Sequence, residues 1–329
     1  MPRLRKITLS IFFPTVFFLI LTGCQNREPE PLSKSGFYFD TAITLTVYGT
    51  EDESILDQCL SLCRDYEQML SRTITGSDIN LINLGHGKPV EVHSETAALI
   101  KQAITYGQLS GGIFDCSIAP LSTLWDFRSE THRVPSSSKL KSALSHVDYR
   151  KIKVNENTVT LEDPMMEIDL GGIAKGFIAD QIKEYLKSQN VSSALINLGG
   201  NVLAVGNKPD GSLWNIGIQR PFSSAGTSIA TAAISDQSLV TSGVYERYFE
   251  KDGVLYHHLL NPSTGYPFDN DLYSVTILSD SSTEADALST TCFGLGLEKG
   301  MEMVESLEGV EALFVTADEE LHYSSDFPR

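Results

Sequence analysis

Glu167-Ile168-Asp169-Leu170-Gly171-Gly172-Ile173-Ala174-Lys175-Gly176-Phe177 runs without a break into Ile178-Ala179-Asp180-Gln181-Ile182-Lys183-Glu184-Tyr185-Leu186. An apolar residue, a carboxylate and a glycine pair are followed by apolar residues at 173, 177, 178, 182, 185 and 186, the spacing of one buried helical stripe. The stretch predicts strand, tight turn, helix. Glycines at such a turn let another molecule approach the backbone. The free N–H groups of the helix start, with Lys175 in its first turn, favour an anion such as phosphate. A plainer reading stands beside this one: Asp169 caps the helix and the glycines only turn the chain.

On the N-terminal side, Phe37 to Tyr48 alternates apolar and polar residues as a half-buried strand does, and Glu51–Leu70 and Glu95–Leu109 carry helical spacing. Ile113-Phe114-Asp115 sets a lone carboxylate in an apolar run after Gly111-Gly112, as a cap or as a ligand contact. Arg128 to Ser138 reads as a surface loop, and residues 152–154 and 158–161 as a hairpin. On the C-terminal side Ala194–Leu198, Trp214–Gln219, Ser228–Ile234, Leu239–Thr241 and Asp271–Ser279 read as strands, and Val244–Leu260 as a hairpin turning at Lys251-Asp252-Gly253. Ser281-Ser282-Thr283-Glu284 has the capping-box pattern and opens another helix. No internal repeat or linker divides the body. The expected fold class is α+β, a mainly antiparallel sheet flanked by helices in one catalytic unit over residues 36–329.

The 329 residues carry a formal charge of −17, which argues against nucleic acid as a partner. An acidic protein that holds a phosphorylated ligand needs local cations or a bound metal to offset its own field. At the N-terminus three basic residues precede the apolar run Ile7–Leu21, and Leu21-Thr22-Gly23-Cys24 closes it. This resembles the lipobox of bacterial lipoproteins. It implies a signal peptide over residues 1–23, lipid on Cys24, a tether over residues 24–35, and a protein anchored to the membrane on its extracytoplasmic face. The apolar run is shorter than the roughly 20 residues of a membrane span. Cys59, Cys63, Cys116 and Cys292 match no zinc spacing and read as buried thiols.

Asp286 and Thr290 lie four apart on the helix after Ser281, so both oxygens leave one face. A carboxylate, a hydroxyl and a nearby carbonyl suit a hard cation such as Mg²⁺; taken singly, Asp286 also reads as a helix-terminus charge and Thr290 as a packed helix residue. Five motifs stand in order: Asp169–Gly176, Ile196-Asn197-Leu198-Gly199-Gly200-Asn201, Thr241-Ser242-Gly243, His258-Leu259-Leu260-Asn261-Pro262-Ser263-Thr264-Gly265, and Ala285-Asp286-Ala287-Leu288-Ser289-Thr290. Together they resemble the FAD:protein FMN transferases of the ApbE family, from about Phe37 to the C-terminus. The resemblance implies an Mg²⁺-dependent enzyme that splits FAD and attaches FMN through its phosphate to a Thr or Ser hydroxyl of a target flavoprotein, releasing AMP. It implies Gly172, Asp286 and Thr290 as metal donors, and Phe39, Ile113, Phe114, Asp115, Asp169, Lys175, His258 and Leu260 around FAD. Lys175 would stabilise charge, and His258 or a carboxylate would take the hydroxyl proton. The sequence departs from the family at Thr73, where some members place an aromatic residue, and at Asn261, where aspartate is common. The alternatives are an exported lipoprotein that binds flavin without chemistry, an FAD pyrophosphatase without protein transfer, and a structural lipoprotein.

Overall fold

The computed structural model describes residues 30–129 and 131–329; the expected signal peptide, Cys24 and the start of the tether lie outside them. The chain runs β1 (Leu32–Tyr38), β2 (Thr41–Val47), α1 (Ser54–Leu70), α2 (Asp78–Asn83), β3 (Val90–Glu91), α3 (Ser94–Leu109), α4 (Ala119–Trp125), α5 (Ser137–Leu144), β4 (Ile152–Asn155) and β5 (Thr158–Leu161). It continues through α6 (Ala174–Ser188), β6 (Ala194–Leu198), β7 (Asn201–Val205), β8 (Trp214–Gln219), β9 (Ser228–Ile234), β10 (Ser238–Gly243), β11 (Tyr248–Lys251) and β12 (Val254–His257). It closes with β13 (Leu272–Ser279), α7 (Ser282–Leu295), α8 (Leu297–Glu305), β14 (Glu311–Thr316) and β15 (Leu321–Tyr323).

Eight strands make one sheet in the order β1-β2-β6-β7-β10-β13-β14-β15, with every neighbouring pair antiparallel. The period-2 alternation of its strands sorts the core into two layers. Val240, Val275, Ile277, Ala312 and Phe314 point to the side where Leu288, Phe293 and Val304 of α7 and α8 pack. Their sequence neighbours Leu239, Leu278, Leu313 and Val315 point the other way, onto Trp214, Ile216 and Ile218 of the β8–β9 ribbon. On the helical side α1 and α6 also cover β2 and β6 through Leu56, Cys59, Ile178 and Ile182. Each such burial is worth about 1.5–3 kcal/mol. The α+β reading with an antiparallel sheet is the fold observed.

Four local expectations change. Phe37–Tyr48 is a hairpin rather than one strand, because Phe39 and Asp40 both take positive φ and reverse the chain between β1 and β2. β1 also begins inside the segment read as tether. Glu167–Leu170 is not a ladder strand: it makes one parallel bridge, Ile118 to Glu167. The Asn83 amide takes the place of a neighbouring strand, accepting from the Ile168 N–H at 2.7 Å and donating to its carbonyl at 3.0 Å. Short α4 and the start of α5 occupy segments that carry too little helical period to read. The four cysteines of the body are buried free thiols, as expected.

Candidate functional site

The N-termini of α6 and α7 meet, and each is capped by a carboxylate from the other helix. Asp286 of α7 accepts the Gly176 N–H of α6 at 2.9 Å. Asp180 of α6 accepts from the Ser282 and Thr283 N–H groups at 2.8 and 2.9 Å and from the Thr283 hydroxyl at 2.6 Å. The residue before α6, Ile173, has no side-chain acceptor of its own, so a donor of the helix start is satisfied only across the contact. The approach is closest at Gly176, where an added Cβ would stand 2.1 Å from the Ser282 carbonyl oxygen. The capping-box expectation at Ser281 holds in half: its hydroxyl accepts from the Glu284 N–H, while the Glu284 carboxylate turns to Ser279.

This crossing brings the expected metal donors together. Asp286 is 5% exposed and forms no ion pair among the described residues. Burial pushes its pKa up, opposed by the Lys175 charge and the Gly176 N–H. Only one of its oxygens is taken by that N–H. Thr290 Oγ1 stands 3.1 Å from Ser242 Oγ, and a Cβ on Gly172 would come within 3.7 Å of the same Thr290 oxygen. A buried carboxylate without an ion pair, with hydroxyl and backbone oxygens near it, has the chemistry of a hard-cation site, so these residues fit Mg²⁺. Among the described residues no group of three or more His, Cys, Asp or Glu side chains clusters at metal distance; a site here draws on hydroxyl and carbonyl oxygens.

Lys175 lies in the first turn of α6 and His258 just after β12, and the Lys175 charge is among those that bear on the imidazole. His258 Nδ1 is enclosed without a partner. Burial, with the Arg247 charge next, pushes its pKa down to about 3, so the ring is neutral at pH 7. Its neighbour His257 is also pushed down by burial, to about 4, with Nε2 at 3.1 Å from the Phe268 carbonyl. Asp169 accepts the Gly171 N–H at 2.8 Å through one oxygen and pairs with the Arg72 Nε at 3.0 Å through the other. Asp169 therefore closes the turn before α6 rather than capping the helix, and takes an arginine partner.

The remaining expected contacts divide. Phe114 lies against Gly172, with an added Cβ there 3.2 Å from its ring, and so belongs to the site. Asp115 shows the cap role: its oxygens accept from the Ser117 N–H and hydroxyl and from the Tyr149 N–H, and burial raises its pKa. Phe39 donates its N–H to Glu67 at 2.6 Å, and the adjoining Asp40 pairs with Arg128 at 2.5 Å. Ile113 packs on the α7–α8 cluster, and Leu260 is buried with Leu121 and Trp125 in a separate apolar cluster. Thr73 is exposed directly beside Arg72. Arg72, Arg128, Arg247 and Ser242 went unread in the sequence. Ser242 stood inside a quoted motif, and Arg247 follows it by five residues, but the arginines meet only through the fold.

The profile of the ApbE family matches residues 39–314. The chain is 39% identical over 296 residues to the FAD:protein FMN transferase of Klebsiella pneumoniae (strain 342), covering 89% of this chain and 92% of that one. It is 35% identical to the FAD:protein FMN transferase of Treponema pallidum (strain Nichols), covering 94% and 92%. Among solved structures, the ApbE protein of Thermotoga maritima superposes with a TM-score of 0.84 at 31% identity, over 91% of this chain and 100% of that one. The flavin transferase ApbE of Vibrio cholerae gives 0.81 at 27%, over 90% and 97%.

Proposed function

The chain belongs to the ApbE family, and on that premise we propose that it is an FAD:protein FMN transferase, dependent on Mg²⁺ and exported as a lipoprotein anchored through Cys24 on the extracytoplasmic face of the membrane. The observation that carries the reading is Asp286, a buried carboxylate with no ion pair among the described residues, bonded to the start of α6 and one helical turn from Thr290, whose hydroxyl lies near the turn at Gly172.

Asp286, Thr290 and the Gly172 carbonyl would hold Mg²⁺, which when bound neutralises charge on the phosphates of FAD during displacement. The α6 N-terminus and Lys175 present positive charge to the same phosphates. Phe114 and Gly172 keep this floor narrow, and the Arg72 pair fixes Asp169 beside it. The acceptor's Thr or Ser oxygen forms a bond to the FMN phosphorus, the bond from that phosphorus to the bridging oxygen breaks, and AMP leaves. The hydroxyl proton would pass to a base of the site, His258, which is neutral at pH 7, or a carboxylate. With water in place of the acceptor the same displacement yields free FMN.

The test is incubation of the protein with FAD, Mg²⁺ and a Thr-bearing flavoprotein, followed by mass spectrometry for the FMN adduct and AMP. Asp286→Ala should abolish Mg²⁺-dependent turnover, a loss on the order of several kcal/mol of transition-state stabilisation, and leave FAD binding measurable. Wild-type turnover by this variant at low Mg²⁺ would remove the helix from the chemistry. Free FMN without adduct, with every acceptor tried, would favour the pyrophosphatase.

A further inference from the structure

We propose that Arg247 is a phosphate-binding residue of this site, gripping together with Lys175 the pyrophosphate of the dinucleotide; the identity of that ligand rests on the function proposed above. The strand register places it. β11 and β12 pair Tyr248 with His257, and the ladder continues one step further, where the Arg247 carbonyl accepts the His258 N–H at 3.0 Å. Facing residues of an antiparallel pair send their side chains to the same side. Arg247 therefore shares the side of His258, and its charge acts on that imidazole as the charge of Lys175 does.

The guanidinium is half-buried and makes no hydrogen bond or ion pair among the described residues. The charges that bear on it are Arg128, Asp40, Glu246 and Asp169. Two of those carboxylates are already engaged: Asp40 by Arg128 and Asp169 by Arg72. Lys175 likewise has no ion pair among the described residues. An arginine kept for packing alone would settle on one of the carboxylates nearby, because a half-desolvated charge without a partner is costly. Here burial and the like charge of Arg128 both act against the guanidinium. A chain with formal charge −17 thus leaves Arg247 and Lys175, two cations whose charges act on one imidazole, without an ion pair among the described residues, while Arg72 and Arg128 take the carboxylates of Asp169 and Asp40. A polyanion resolves that imbalance, and the planar fork of arginine fits two phosphate oxygens at once.

The experiment measures binding of FAD, inorganic pyrophosphate and riboflavin to the purified full-length protein by calorimetry, for wild type, Arg247→Gln and Arg247→Lys. Arg247→Gln should weaken FAD and pyrophosphate on the order of 10- to 100-fold and leave riboflavin affinity within about twofold, with partial recovery in Arg247→Lys. Equal losses for riboflavin and FAD would overturn the proposal, since a packing role moves both. Unchanged FAD and pyrophosphate affinity in Arg247→Gln would overturn it as well. Arg247-dependent binding of pyrophosphate by a protein that ignores FAD would uphold the anion site and sink the substrate reading instead.

Discussion

Gly176→Ala puts the α6–α7 crossing to the sharpest test. The new methyl carbon would stand 2.1 Å from the Ser282 carbonyl oxygen, 2.6 Å from the Ser282 carbonyl carbon and 2.8 Å from Thr283 Cα. All three are backbone atoms, so no side chain can swing away, and the helices must part by about 1 Å to restore ordinary contact. Helix propensity argues for the opposite sign, since alanine gains at most about 1 kcal/mol over glycine. Overpacking costs about 1–3 kcal/mol, and parting the helices also stretches the charge-assisted bond from the Gly176 N–H to Asp286, worth about 1.5–3 kcal/mol. The clash wins, with a net loss of about 2–4 kcal/mol. Urea unfolding of variant and wild type measures it, and turnover against Mg²⁺ concentration should show a raised Mg²⁺ requirement, because Asp286 moves with α7. Stability within about 0.5 kcal/mol of wild type, with an unchanged Mg²⁺ curve, would refute the argument.

Two further outcomes are expected. His257 is held neutral in the fold, with its pKa pushed down to about 4 and Nδ1 unpartnered, so the unfolded chain binds a proton there that the folded one refuses. Stability should therefore be insensitive to this residue above pH 6.5 and fall by up to about 1.4 kcal/mol per pH unit as pH drops from 6.5 towards 4. His257→Gln should reduce the slope in urea titrations across the range by this amount, the part due to His258 remaining; an unaltered slope would show that His257 does not contribute. Cys24→Ala should free the protein from membranes while its soluble activity persists, as membrane fractionation can show, and continued attachment would count against lipid on Cys24.

Sheet strands and long helices were legible because each has one wet and one dry face, and the period of that contrast survives in the sequence. β8, β9, β13, α1 and α3 show it, with ends within a few residues of those expected. The hairpin at Phe39-Asp40 was not legible, since Phe39 is an unusual residue for positive φ and the alternation runs straight across the turn. Glu167–Leu170 imitates a strand because its backbone is satisfied in a strand-like way, only by the Asn83 side chain rather than by a ladder. For the site, spacing alone put Asp286 and Thr290 on one face, and the turn at Gly172 meets Thr290 there. Arg72, Arg128 and Arg247 could not be read as a group, because β-strand register and loop packing, not sequence distance, set Arg247 opposite His258 and pair Arg72 and Arg128 with Asp169 and Asp40.

The exchange of caps between α6 and α7 also bears on the order in which the chain assembles. The bonds join residues 110 and 102 positions apart, with β6 to β13 lying between the two helices in sequence. The α6 start has no side-chain cap of its own, and Ser281 seals only the Glu284 N–H of α7, so the rest must wait until those strands have paired and carried the other helix into place. Closing loops of that length costs entropy before the contact repays it, so these bonds are expected late in folding. Removing Asp180 or Asp286 therefore hastens unfolding more than it slows folding, and no half-folded chain carries a finished site.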